Sequence, residues 1–485
     1  MKKQKVRDKF TVTVDSLDQE GRGVCRRDGK VVFIEGALPG EEVEYERIRN
    51  KPSFESGVAT QIFSESSLRV NPGCPYFGME DGSCGGCAMQ HLEPRAQVAV
   101  KQKVLMDSLK HIGRVKPLRV LPPIFGPEWH YRHRARLSVK DVLKKNTVLV
   151  GFHEKRSSFI ADMQSCKILP KKVSELLVPL RNLISSLKLR QKIPQIEVAV
   201  AGEHTALVLR VLEAPTAEDE VKLRDFQERY GVEFWYQPKG PDTVFPMDPE
   251  NLNNLKLRHS ETGVTVVFKP TDFTQVNHAL NDVMVTRALR MLKLKPTDKV
   301  ADFFCGLGNF TLPIACRSAK VFGIEGSEQL VKRAEAGAEA NGLADKASFR
   351  ERNLFTWTLE DWTALWKEMG GVDKVLIDPP RDGAQALCTS LAQTTERPER
   401  IVYVSCSPAT LARDCNILVN EGGWILKAAG VMNMFPHTAH VESIALFERG
   451  SPEELELCKI GKPKEESSEQ AEEKTPEREE TSATQ

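Results

Sequence analysis

The sequence predicts a multidomain chain: a small N-terminal β-barrel, a central α+β domain and a C-terminal parallel α/β domain. Three observations predict it. Residues 1–66 hold short alternating or apolar runs punctuated by glycine and proline, the pattern of a small barrel. Residues 67–270 mix strand-like and helix-like segments around a cysteine-rich loop. Over residues 271–450 strands and helices alternate, which argues for a parallel sheet. At 485 residues the chain is long enough for about three such units.

Composition narrows the function classes. The chain is 40% hydrophobic and 28% charged, as in a soluble globular protein. No run approaches the roughly 18 apolar residues of a membrane span, so no membrane partner is expected. The basic start, Met1 to Lys9, is followed by no apolar stretch and does not read as a secretory signal. A cytoplasmic location is expected, where thiols stay reduced. The 11 cysteines then read as ligands, nucleophiles or core residues, not as a disulfide framework.

Residues 451–485 are expected to form a disordered acidic tail. Its segment 461–485 has eight Glu, four Lys or Arg and no bulky apolar residue. Without that segment, 64 basic and 59 acidic residues remain, a mildly basic balance that permits a polyanionic partner.

Taken in order, the barrel strands fall at 10–14, 31–34, 43–48 and 58–62. A helix is predicted over 93–111, after the cysteine loop. The central unit has strands at 135–139, 148–152, 197–200 and 206–211, and helices at 172–187 and 217–230. Trp129-His-Tyr-Arg-His-Arg-Ala-Arg136 interleaves aromatic and basic residues. It fits either an RNA-contacting face or a strand with core aromatics.

In the last unit, Val300 to Phe310 reads as a buried strand, a Gly306-x-Gly308 turn and a helix start. Glu325 closes the next strand, where a carboxylate grips ribose hydroxyls in Rossmann-like folds. Ser327 is the expected N-cap of the following helix and Gly342 its stop. The turn lacks a third glycine, so no pyrophosphate is expected. Asp302 suits S-adenosylmethionine, and here the sequence resembles the class I methyltransferases.

The strand 374–377 ends in Asp378-Pro-Pro-Arg381. Arg381 stands where amino-methyltransferases carry a stacking aromatic and many cytosine-5 methyltransferases carry a cysteine. Another strand, 400–404, leads into Ser405-Cys406-Ser407-Pro408. Cys406 thus lies at a strand's carboxyl end and before a proline-led helix, whose N-terminus is expected to lower the thiol pKa. Cys406 is the candidate nucleophile, whereas Cys305 reads as packing inside the cofactor loop. Glu442 opens the last strand after Phe435-Pro-His437-Thr-Ala-His440 and is the candidate general base.

Cys74, Cys84 and Cys87 have spacings of nine and two residues, and Cys166 lies 79 residues later. Four thiolates could hold zinc or an iron–sulfur cluster.

Together these residues resemble the RNA uracil-5 methyltransferase family, and within it the bacterial iron–sulfur branch acting on 23S ribosomal RNA at uridine 1939. The likeness spans about residues 8–450. It implies an OB-like TRAM β-barrel carrying Glu20-Gly-Arg-Gly-Val24, a central domain with an iron–sulfur loop, and a Rossmann-like class I methyltransferase domain. Residues 93–120 are implied to pack on the catalytic domain. The implied cofactors are S-adenosylmethionine and a [4Fe–4S] cluster on Cys74, Cys84, Cys87 and Cys166. Implied cofactor contacts are Gln275, Phe304, Asn309, Glu325, Asn353 and Asp378. Met79 to Ser83 departs from the family pattern as a small loop insertion. The implied chemistry is addition of the Cys406 thiolate to carbon 6 of uracil, which makes carbon 5 nucleophilic toward a methyl group. Glu442 then removes the carbon-5 proton. The base must be extruded from its stack. A monomer acting on 23S ribosomal RNA is expected, with transfer RNA or a non-catalytic RNA-binding role as alternatives.

Overall fold

The computed structural model describes residues 8–461. Lys2, Lys3, Lys5 and Arg7, and the acidic segment from residue 462 on, lie outside the described residues.

The first unit is a six-stranded sheet in the order Lys9–Thr13, Glu42–Asn50, Phe54–Ser64, Lys30–Glu35, Gly23–Arg27, Ser16–Leu17. The two outermost strands belong to one stretch of chain. Val14 N–H donates to the Glu41 carbonyl at 2.9 Å, and Asp15 N–H to the Val24 carbonyl at 2.8 Å. That stretch therefore bonds both edges, leaving no open edge there and closing the sheet as a barrel. Val14, Cys25, Val32, Ile34, Val43 and Tyr45 fill the interior.

The central unit is also six-stranded, in the order Phe245–Pro246, Glu233–Gln237, His204–Arg210, Gln195–Ala201, Arg134–Val142, Thr147–Gly151. One predicted helix is divided. Instead of one helix over 172–187, Lys171–Glu175 and Leu177–Ser186 meet at Leu176. Pro179 has no N–H to give the Glu175 carbonyl, so it is accommodated in the first turn of a new helix.

The third unit carries an eight-stranded sheet. Its order is Ala347–Glu351, Lys320–Glu325, Lys299–Phe303, Lys374–Ile377, Arg400–Ser405, Glu442–Glu448, Ile425–Met432, Arg119–Val120. The first five are parallel, and Glu442–Glu448 runs antiparallel between its neighbours. Near-continuous apolar strands such as Lys374–Ile377 are buried because helices cover both faces. One face packs Leu105 and Leu109 of the helix Pro94–His111 with Trp362, Leu391 and Leu411. The other packs Met284, Leu289 and Leu292 of the helix His278–Leu292 with Leu312.

The expected tail begins too early at 451. Ser451 caps a helix, Pro452–Cys458, through a reciprocal bond pattern with Glu454. Cys458 is buried, and Ile460 N–H donates to the Arg114 carbonyl. A capping box and one apolar anchor thus hold residues that composition alone assigned to the tail.

Candidate active site

The turn after Lys299–Phe303 takes its shape from backbone constraints. Phe304 has φ of 63°, and Gly306 and Gly308 have φ of 54° and 86°. Phe304 and Cys305 both donate their N–H to the Ile324 carbonyl, which fixes the turn against the next strand. The Gly306 N–H donates to Glu325 Oε2 at 3.0 Å. Nothing lies within 4 Å of where a Gly306 side chain would begin. Asn309 exchanges two amide hydrogen bonds of 3.0 Å with Asn281. This brings the helix His278–Leu292 to the turn, and with it the preceding loop that holds the buried Gln275. Asn353 uses Oδ1 to accept the Phe355 N–H at 3.0 Å, and Phe355 meets the Phe304 ring edge-on at 5.9 Å. Cys305 is buried against Gly323. At the next helix, Ser327 holds the N-cap position but its hydroxyl makes no capping bond.

Buried carboxyls gather at this edge. Asp302 is wholly buried, accepts from Thr311 Oγ1, and leaves Oδ1 with no partner. Burial, then Asp378 and Glu325, push its pKa up to about 8. Burial alone pushes Asp378 up to about 7. A cationic ligand bound here would favour their ionised form.

Cys406 and Glu442 come together through strand register. Ser405 pairs with Ser443 across the antiparallel ladder, and Ser443 Oγ donates to the Ser405 carbonyl at 3.1 Å. Cys406 follows Ser405 and Glu442 precedes Ser443, so both emerge at the same end of the ladder. Ser407 caps the helix Pro408–Asn416 beside them. The expected lowering of the Cys406 pKa by this helix is not what the surroundings produce. Burial first, then Glu442 and Asp378, push the thiol up to about 11, and Arg381 only partly opposes them. A short helix end is outweighed by burial and, after it, by two carboxyls from distant parts of the chain. Burial and Asp378 likewise push Glu442 up to about 8, against Lys101 and Arg381.

The loop between Met432 and Glu442 is held from outside its own domain. Helix Pro94–His111 turns Gln97, Lys101, Leu105 and Leu109 inward. Gln97 Nε2 donates to the Met89 and Leu92 carbonyls, while its Oε1 accepts the His437 N–H at 2.8 Å. The His437 carbonyl accepts the N–H groups of Ala88 and Met89 at 2.8 and 3.0 Å. Its ring stacks on Trp129 at 4.1 Å. Tyr131 donates to the Pro436 carbonyl at 2.9 Å, and His133 stacks on His278. The aromatics of the 129–136 stretch are therefore internal braces for this loop; Arg136 faces outward and pairs with Glu197. Gln97 and Lys101 escaped the sequence reading. Their signal is two polar residues one turn apart on an otherwise apolar helix stripe.

The four cysteines lie in one neighbourhood. Burial pushes Cys87 up to about 12, with Cys166, Cys84 and Cys74 adding to it against Gln90. Cys84 Sγ accepts the Gly86 N–H at 3.4 Å, and Cys166 N–H donates to Ser174. Among the described residues, no three or more His, Cys, Asp or Glu side chains converge on a metal position. The extra loop is stapled to its surroundings: Arg156 reaches the Met79 carbonyl at 2.9 Å and Glu35 of the barrel at 2.6 Å. No helix of the described residues is long and apolar enough to cross a membrane.

Comparisons place this architecture among known proteins. The model of the tRNA (Uracil-5-)-methyltransferase family matches residues 95–450, and that of the TRAM domain matches residues 3–45. The 23S rRNA (uracil(1939)-C(5))-methyltransferase of Bordetella avium is 54% identical over 444 residues, covering 91% of this chain and 92% of the relative. The protein of the same description in Nitrosospira multiformis is 55% identical, covering 90% and 98%. The crystal structure of Pyrococcus abyssi tRNA (uracil-54, C5)-methyltransferase in complex with S-adenosyl-L-homocysteine has the same fold. It superposes with a TM-score of 0.66 at 23% identity, covering 90% of this chain and all of that one. With most of its length matched by one family model and more than half of its aligned residues identical to these relatives, the chain belongs to the tRNA (uracil-5-)-methyltransferase family and carries a TRAM domain at its N-terminal end.

Proposed function

We propose that this chain methylates carbon 5 of uridine 1939 in 23S ribosomal RNA, as a cytosolic monomer using S-adenosylmethionine. The observation that carries the reading is the placement of Cys406 and Glu442 at one end of the Ser405–Ser443 pair. The likeness to relatives of that description supports the RNA substrate.

The residues fit the donor. We take Glu325 as the ribose contact, Phe304 and Asn353 as adenine contacts, and Gln275, Asn309 and Asp378 as the remaining contacts of the donor. The open space at Gly306 and the partnerless Asp302 Oδ1 suit a cationic ligand close to the turn. S-adenosylmethionine supplies an electrophilic methyl group when bound. Cys406 Sγ adds to carbon 6 of the extruded uracil, and the electron pair of the 5,6 double bond becomes available at carbon 5. After carbon 5 gains its methyl group, Glu442 takes the carbon-5 proton. The C–H pair restores the double bond and the C6–S bond breaks, releasing the Cys406 thiolate. Arg381 favours both anions through its charge.

Cys74, Cys84, Cys87 and Cys166 are the proposed ligands of a [4Fe–4S] cluster. Their donor chemistry fits: four neighbouring thiols, with a backbone N–H already aimed at Cys84 sulfur. Cluster chemistry has no step in the transfer, so its role is to hold the 74–89 loop.

The test is incubation with labelled S-adenosylmethionine and unmodified 23S ribosomal RNA, followed by mapping of 5-methyluridine. One modified site at 1939 is expected. Label only in transfer RNA would move the substrate, and no label in any uridine would overturn the enzyme reading.

A further inference from the structure

Lys101 is buried, yet it comes from a helix outside the methyltransferase sheet. Its ammonium donates to Asn433 Oδ1 at 2.7 Å and to the Phe435 carbonyl at 2.8 Å. Both acceptors are neutral. The carboxyl it faces is Glu442: Met432 pairs with Glu442 across the antiparallel ladder, and Asn433 follows Met432 directly. A lysine is a costly way to hold two neutral acceptors, because burial penalises its charge. Its position beside a base that must be anionic gives that charge a use.

We propose that Lys101 is a positioning residue for the proposed base: it anchors the 433–435 turn and supplies the positive charge that keeps Glu442 a carboxylate when the carbon-5 proton is removed. This rests on the reading of Glu442 given above. The groups facing Glu442 are Asp378 and Arg381 from the 378–381 turn, Cys406 from the end of strand Arg400–Ser405, and Lys101 from the helix. His437 and His440 stand near Lys101 from the intervening loop, and both are held toward the neutral form, mainly by burial. Asp378 opposes ionisation of Glu442. Lys101 and Arg381 favour it, and of these only Lys101 is buried. Burial draws Lys101 down while Glu442 raises it, and Lys101 lowers Glu442 in turn, so each charge favours the other.

The step to watch is release of the methylated RNA from Cys406, since the thiol is already consumed there and its own ionisation does not limit the rate. Denaturing gels would follow decay of the covalent RNA complex against pH for the full-length protein, Lys101→Gln and Lys101→Arg. Glutamine keeps a hydrogen-bond donor without the charge; arginine keeps the charge. Losing the cation disfavours the carboxylate, so the rising limb in Lys101→Gln should move to higher pH by about one unit. In Lys101→Arg it should stay in place even where the rate falls. A Lys101→Gln complex that decays more slowly at every pH with an unmoved limb would overturn the proposal and leave a purely structural lysine. If Lys101→Gln does not fold, a limb displaced upward in folded Lys101→Arg would overturn it equally. An unmodified protein that forms no covalent complex would instead defeat the reading of Cys406 and Glu442 as nucleophile and base.

Discussion

Cys406 and Glu442 lie just outside the Ser405–Ser443 pair, one on each strand of an antiparallel ladder. Their proximity is therefore set by backbone hydrogen bonding and not by a flexible loop alone. A one-residue slip of Glu442–Glu448 would turn Glu442 to the other face of the sheet.

Replacing Glu442 by Gln removes the base but leaves the thiol. The account predicts that addition and methylation proceed and that a covalent RNA complex accumulates, with turnover reduced by roughly 10²-fold or more. Quantifying the gel-shifted complex checks this; rapid turnover by Glu442→Gln would refute the assignment.

Arg381 is the exposed cation beside both reacting groups, and it reaches His440 at 3.4 Å. Both groups must be deprotonated to act, and both stand above their ordinary values. Activity should therefore rise with pH through about 8, the value for Glu442, and go on rising toward about 11, the value for Cys406. Arg381→Gln removes an attraction for each anion, so its activity should fall most near neutral pH and recover in part at alkaline pH. A uniform loss across the pH range would point to a steric or RNA-binding role.

Gln97 joins the cysteine loop to the active-site loop through three hydrogen bonds to backbone groups. Gln97→Ala leaves the buried His437 N–H without that acceptor. The expected cost is about 1–3 kcal/mol of stability, read by denaturant unfolding. A larger fractional loss in kcat than in donor affinity should accompany it, because the pocket at Glu325 is untouched.

Cys87 is followed directly by Ala88, whose N–H holds the His437 carbonyl. The proposed cluster predicts iron–sulfur absorbance in anaerobically purified protein, which Cys87→Ser should remove while loosening the Ala88–His437 contact. Hydrogen exchange at Ala88 and Met89 should rise in the variant; unchanged protection with absorbance lost would uncouple the cluster from the catalytic loop.

Much of the last unit was legible because its signals are local. The strand before Asp302, the Gly306 turn and the Glu325 strand end each declare themselves within a few residues. Interactions assembled from afar were not legible. That residues 93–120 pack on the catalytic domain was implied by the resemblance, but the bonds from Lys101 to Asn433 and Phe435 were not. The direction of the Cys406 shift was misjudged for the same reason: the helix N-terminus is visible in sequence, whereas the burial of the thiol and its meeting with Glu442 and Asp378 come only from the sheet order. The aromatic-basic stretch at 129–136 fitted either RNA stacking or a strand with core aromatics, and Trp129 and Tyr131 pack against His437 and Pro436. The break at Leu176 hinges on Pro179, which the helix reading passed over.

The most direct test of the central claim traps the enzyme on 23S ribosomal RNA carrying 5-fluorouridine, whose carbon-5 fluorine cannot be removed as a proton. Mass spectrometry of the digested complex then locates the protein–RNA bond. The account predicts a single adduct on the peptide containing Cys406, lost in Cys406→Ala. An adduct on Cys305 or any other residue, or one that survives Cys406→Ala, would contradict it.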